Sequence, residues 1–165
     1  MVTILVGMIA SGKDTFIKML AERGHLIIND DDIVKAVHGG NYLLYDQALK
    51  PVYKDVEVAI LMDALTLKRP VVINRPNFRI STRRRYIGLA EAHDVPVVGI
   101  VFPKETPEVH AKRRFDHDNR GISYEKWVEI AKVHASQWEE PKMEEGFSNL
   151  MPAHVAKQMV LAGQY

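Results

Sequence analysis

Between Gly7 and Thr15 the sequence reads Gly-Met-Ile-Ala-Ser-Gly-Lys-Asp-Thr, two glycines separated by four residues and followed at once by a lysine. Glycines at this spacing let backbone N–H groups turn inward around an anion, and a helix starting there adds partial positive charge. A lysine in this place reaches the β and γ oxygens of a nucleoside triphosphate. Gly7, Ala10, Ser11, Gly12, Lys13, Asp14 and Thr15 are therefore expected to cradle ATP. Asp14 occupies the position where a serine or threonine hydroxyl usually meets Mg²⁺. A carboxylate is a hard oxygen ligand, so Asp14 is the expected metal residue, with Thr15 next in line.

Residues that could act on such a triphosphate come from the ends of the following strands. In an open parallel sheet the carboxyl ends of the strands face one crevice, and residues just beyond them become neighbours. The second apolar run ends in Asn29-Asp30-Asp31-Asp32, the third in Asn74-Arg75-Pro76-Asn77, and the fourth in Pro103-Lys104-Glu105. A carboxylate at the second strand end can accept a proton from an attacking hydroxyl, and Asp31 is the expected base. The competing reading is that one of the three aspartates caps the helix behind them. Farther on, Ala111 to Gly121 is a basic, polar interruption between two helical patterns. It suits a lid that closes Arg114 and Arg120 onto phosphate oxygens. Arg83, Arg84 and Arg85 sit early in a helix, where the dipole disfavours cations, and this points to an anionic substrate. Trp127 and Trp138 fit the buried face of a helix.

These residues need a scaffold, and the chain supplies one. Short β-branched runs alternate with longer helical patterns: Thr3 to Val6, Lys13 to Arg23, His25 to Ile28, Asp31 to Val37, Pro51 to Leu67, Val71 to Ile73, Ser81 to His93 and Val95 to Phe102. The alternation predicts an α/β, three-layer fold with a mainly parallel sheet of about five strands. The runs lack polar alternation, as strands covered on both faces do. A chain of 165 residues with 47% apolar content suits one domain spanning 1–165. The tail, 148–165, is expected to be a docked helix or an oligomer contact. Cysteine is absent, which excludes a disulfide framework and thiolate metal sites. No apolar span is long enough for a bilayer, and a soluble, cytoplasmic protein without membrane partners is expected. The net charge of +1 excludes a globally basic nucleic-acid coat and leaves any such contact to local clusters.

Over roughly residues 2 to 147 the chain resembles the phage-type 5′-polynucleotide kinases and their small P-loop relatives. The likeness rests on Gly7 to Thr15, Asn29 to Asp32, Val71 to Asn77 with Arg83 to Arg85, Arg114 to Gly121, and Pro141 to Phe147, in order and spacing. The resemblance implies a P-loop phosphotransferase using ATP and Mg²⁺ on an alcohol group, with Asp31 as base, Lys13 on the phosphates and Arg120 as the lid arginine. Two positions differ from that family. Val34, with Lys35 beside it, stands where an arginine is usual, and Arg75 where an aspartate is usual. Asp32, Lys35, Arg75, Asn77, Arg83 and Arg84 are the residues expected to face the acceptor. That acceptor is expected to be a nucleic-acid hydroxyl, either a 5′ end or a hydroxymethylated base in DNA. A nucleoside, nucleotide or other small-molecule kinase is the alternative, and a nucleotide-binding switch without transferase activity is a further one.

Overall fold

The structure, a computed structural model, describes residues 1–118 and 120–165. Five strands, β1 (Val2–Val6), β2 (Leu26–Asn29), β3 (Val71–Asn74), β4 (Val97–Val101) and β5 (Asn149–Pro152), form one sheet in the order β2-β3-β1-β4-β5. Every pairing is parallel, with Ile4 opposite Ile73 on one side and Gly99 on the other. Among the described residues seven α-helices accompany them: α1 (Lys13–Ala21), α2 (Asp30–Val37), α3 (Lys50–Thr66), α4 (Ile80–Glu91), α5 (Pro107–Phe115), α6 (Tyr124–Ser136) and α7 (Ala153–Leu161). No helix among the described residues is long and apolar enough to cross a membrane.

The period of two in the strands sorts their side chains to two cores. Val2, Ile4, Val6, Val71 and Ile73 pack with α2, α3 and α4 through Ile33, Tyr53, Leu61, Leu65, Tyr86 and Ile87. Leu5, Val72, Val98 and Ile100 pack with α1 and α7 through Phe16, Leu20, Ala156 and Val160. Helices on both faces explain why the strands read as continuous apolar runs. A third cluster, Met8, Ala111, Trp127 and Ala131, seats the α5–α6 hairpin against the glycine loop.

The tail supplies a strand as well as a helix. β5 is a short edge strand with only Met151 buried, so its four residues carry little apolar signal, and Pro152 closes it without losing a needed ladder bond. Behind it α7 docks on α1, and the Tyr165 hydroxyl lies 2.9 Å from Thr3 Oγ1.

Arg83 is fully buried, which overturns its expected place facing substrate. Its Nε and Nη2 each lie 2.7 Å from Glu145, and its Nη1 donates to the carbonyls of Asn77 and Glu139 at 3.0 Å. Every face of the guanidinium is used in tying α4 to the segment that leads into β5. Arg83→Met is expected to cost about 3–5 kcal/mol of unfolding free energy, because Glu145 is left buried and unpaired. Urea unfolding measures it, and a loss below about 1 kcal/mol would mean that the pair does not hold α4.

Candidate active site

The glycine loop leaves the central strand where its backbone has no room for side chains. Gly7 is buried, and a Cβ there would lie 2.5 Å from Ser11 Oγ and 2.9 Å from Phe102 Cβ. Ala10 and Gly12 take left-handed conformations, φ 49° and 99°, the alternation that turns successive N–H groups toward one concavity. Lys13 opens α1 and folds back across the loop. Its Nζ donates to the carbonyls of Gly7 at 2.8 Å and Met8 at 2.6 Å, and to Ser11 Oγ at 3.2 Å. Burial pushes the Lys13 ammonium down to about 8; Asp14 opposes the shift and Arg114 adds to it. The charged form is the one a phosphate needs. Nucleoside triphosphate affinity is therefore expected to be full below pH ~8 and to fall as pH rises through that value. Calorimetric titration between pH ~7 and ~9 tests this, and a flat profile contradicts it.

Asp14, on the next residue of α1, is held by the neighbouring strand: Asn74 at the end of β3 donates Nδ2 to its Oδ1 at 3.0 Å. The sequence places Asn74 at a strand end facing the crevice but assigns it no role; the structure sets it beside the Asp14 carboxylate. One carboxylate oriented at the mouth of the cradle suits Mg²⁺, which binds through one or two carboxylates and fills its shell with water and phosphate oxygens. Among the described residues no group of three or more His, Cys, Asp or Glu could make an all-protein metal cage. Asp14→Ala is expected to move the Mg²⁺ titration of nucleotide binding to higher concentration, and Asp14→Ser to stay near the parent. An alanine variant that titrates like the parent would leave Asp14 as a helix-start charge only.

A cleft of about 660 Å³ between α1, α2 and the α5–α6 connection brings together Asp14, Lys18, Asp31, Asp32, Lys35, Arg114 and Arg120. The cap of α2 is Asn29, whose side chain accepts from the Asp31 N–H at 3.1 Å. Asp31 is thus not the cap, and its carboxylate enters the cleft. Asp32 and Lys35 pair with each other at 3.2 Å in the same cleft. Arg114 lies 5.1 Å above the Trp127 ring, and Arg120 is held between Trp127 and Tyr42 at 5.2 Å from each, with its Nε 2.9 Å from Asp118. Trp127 is a core residue, as its pattern predicts, and is also the platform for both arginines. Asn119, inside the expected lid, lies outside the described residues.

On the other side of α2 a cavity of about 380 Å³ is walled by Val34, Tyr45, Tyr53, Lys50, Lys54, Ser81, Thr82 and Arg85 around a floor of Asp30, Glu57 and Arg75. Arg75 reaches Asp30 through Nε at 2.9 Å and Glu57 through Nη1 at 2.5 Å, and Tyr86 donates its hydroxyl to Glu57 at 2.8 Å. Burial raises the Asp30 carboxyl, with Arg75 opposing the shift and Glu57 and Asp31 adding to it. Three acceptor-side expectations change here. Asn77 is buried and spends its amide on the carbonyls of Leu5, Ile73 and Arg75, so it shapes the turn. Arg84 points to solvent and lines neither cavity, whereas its neighbour Arg85 enters this one. Lys35 and Asp32 lie on the cleft side of α2, apart from Arg75.

Beyond the loop two shallow clefts adjoin. Ser11, Gly12 and Thr15 share one of about 320 Å³ with Phe102, Pro103, His154 and Lys157. Phe102, Pro103, Pro152, Ala153 and His154 also line an apolar one of about 370 Å³. The residues after β5 are therefore neighbours of the loop, and no local pattern in the tail announces it.

Residues 2–135 match the family described as AAA domain. The chain belongs to that family. The fold is shared with a gluconokinase from Sinorhizobium meliloti 1021, at 19% identity and TM-score 0.56 over 98% of this chain and 90% of that one. It is shared also with Kti12 from Chaetomium thermophilum, solved with ADP-AlF3, at 14% identity and TM-score 0.62 over 98% and 96%. Shikimate kinase from Acinetobacter baumannii matches at 16% identity and TM-score 0.55 over 99% and 94%. No curated protein sequence matches the chain. The five-stranded parallel sheet and these likenesses make the fold the α/β fold of the P-loop NTPases.

Proposed function

We propose that this chain, as one catalytic domain, is an ATP-dependent kinase that transfers the γ-phosphoryl group to a hydroxyl of a nucleic acid, a 5′ end or a hydroxymethylated base in DNA. The observation that carries the reading is the position of Asp31: relieved of capping by Asn29, it opens into the cleft that holds Asp14, Arg114 and Arg120. A nucleotide switch has no need of a free carboxylate there; a kinase uses it as base. The triphosphate lies along Gly7 to Thr15, with Lys13 exchanging its loop carbonyls for β and γ oxygens. Mg²⁺, when bound at Asp14, neutralises charge on the β and γ phosphates. Asp31 takes the proton of the acceptor hydroxyl as that oxygen bonds to the γ phosphorus. The bond from γ phosphorus to the bridging oxygen breaks, ADP leaves, and Arg114 and Arg120 balance the charge that spreads over the transferring group. The clefts at Phe102, Pro103 and His154 suit the donor base.

The 380 Å³ cavity, one residue of α2 away from Asp31, is the acceptor's place in this reading. Tyrosine rings and four cations beside two carboxylates favour an anionic, ring-bearing acceptor such as a nucleotide unit. The same cations would also suit a small acidic acceptor, the second reading, which the tyrosines do not favour. Radiolabelled ATP offered with 5′-hydroxyl DNA and RNA, hydroxymethylated DNA, nucleosides and small hydroxy acids separates the two.

Asp31→Asn is expected to lower transfer by about 10²- to 10⁴-fold with ATP affinity near the parent's. Since Asn29 is the cap, stability should remain within about 1 kcal/mol. Single-turnover transfer and thermal unfolding measure both, and a parental rate would make the aspartate structural.

A further inference from the structure

The connection between α2 and α3 and the first turn of α3 carry a row of tyrosine rings along the site. Tyr42 and Tyr45 are nearly parallel, 17° apart with centroids 6.4 Å apart, and Tyr45 and Tyr53 follow at 29° and 5.6 Å. Centroids 6.4 Å apart in nearly parallel planes mean that Tyr42 and Tyr45 overlap only at their edges. Tyr45 accordingly stays 42% exposed, beside Leu43 at 75% and Leu44 at 55%. The row runs from the lid cleft, which Tyr42 lines, to the acceptor cavity, which Tyr45 and Tyr53 line.

It is also rigidly held. The Tyr53 hydroxyl accepts from the Asp46 N–H at 3.1 Å and lies 2.7 Å from His38 Nε2, and the Tyr45 hydroxyl donates to Gln47 at 2.7 Å. Asn41 and Asp46 cap the two short turns of the connection through Leu43 N and Ala48 N. Lys50 and Lys54, one helical turn apart on α3, stand exposed along the same cavity, and neither forms an ion pair among the described residues.

We propose that Tyr45, at the exposed point of this row, is a platform for single-stranded nucleic acid: a base flanking the reacting nucleotide stacks on it while Lys50 and Lys54 hold the neighbouring phosphates. The inference rests on the acceptor reading, since it makes the bound strand the acceptor. An exposed aromatic ring, Tyr45, with cations along one side matches a strand whose bases are unpaired. A duplex hides its base faces from such a ring.

Fluorescence anisotropy of a labelled oligothymidylate, without ATP, tests the platform. Tyr45→Ala is expected to weaken binding about 10-fold, and Tyr45→Phe to leave it near the parent, since stacking needs the ring alone. Lys50→Glu with Lys54→Glu should weaken it at least about 10-fold and flatten the salt dependence of affinity by about one to two units of slope. These positions are exposed, and thermal unfolding verifies that each variant is folded. Unchanged affinity in both the Tyr45→Ala and the lysine variants overturns the platform, as does equal or tighter binding of the same strand annealed to its complement. Strand binding that depends on Tyr45 and Lys54 in a protein that phosphorylates no nucleic-acid hydroxyl upholds the platform and overturns the acceptor reading. Transfer to such a hydroxyl with strand affinity untouched by the substitutions overturns the platform alone.

Discussion

The central place of β1 between β3 and β4 is the constraint from which the site follows. A strand buried on both faces and paired on both sides delivers Gly7 to one defined point, where Pro76 accepts from the Gly7 N–H and Phe102 leaves no room for a side chain. The loop then has to turn back on itself, and Ala10 and Gly12 do so in left-handed conformations. Lys13 is buried as a consequence, because its ammonium has the loop carbonyls as its nearest partners. The lowered ammonium of Lys13 is thus a result of the packing that makes the anion cradle.

The first turn of α2 divides the chemistry in two. Asn29 takes the capping role, so the three acidic residues behind it are left to face outward in different directions. Asp30 goes to Arg75 and the cavity of about 380 Å³, while Asp31 and Asp32 go to the cleft that also holds Asp14, Arg114 and Arg120. Adjacent residues on a helix differ by about 100° in direction, which is enough to place neighbours on opposite sides of the element. A hydroxyl in the acceptor cavity would have to reach past this turn toward Asp31, and transfer geometry therefore depends on how α2 is seated by Ile33 and Val34 in the core.

Beneath the cavity on the far side of α2, Glu57 is almost fully buried and receives Arg75, Tyr86 and, at 3.5 Å, Arg85. A buried carboxylate with this many donors is a positioning device: it holds two guanidinium groups at the cavity while α3, α4 and β3 stay in register. Arg75 is the centre of a network that its own chain completes through Asp30, Glu57 and Tyr86.

Some of this was legible in the residues themselves. The glycine loop, its lysine and the strand ahead of it form a contiguous pattern, and backbone geometry makes such a pattern act locally, so the tight turn between β1 and α1 could be read directly. The alternation of apolar runs likewise settled a parallel sheet, because helices on both faces demand it. What only the tertiary structure decided was direction. Three arginines in a row at Arg83, Arg84 and Arg85 look alike in sequence, but the phase of α4 against the core sends the first inward to Glu145, the second to solvent and the third to the cavity that Asp30, Glu57 and Arg75 floor. Asn29 rather than an aspartate became the cap, and β5, too short and too polar to stand out, became visible only where its backbone found β4. Helix phase and edge pairing are set by contacts far apart along the chain, and no local spacing encodes them.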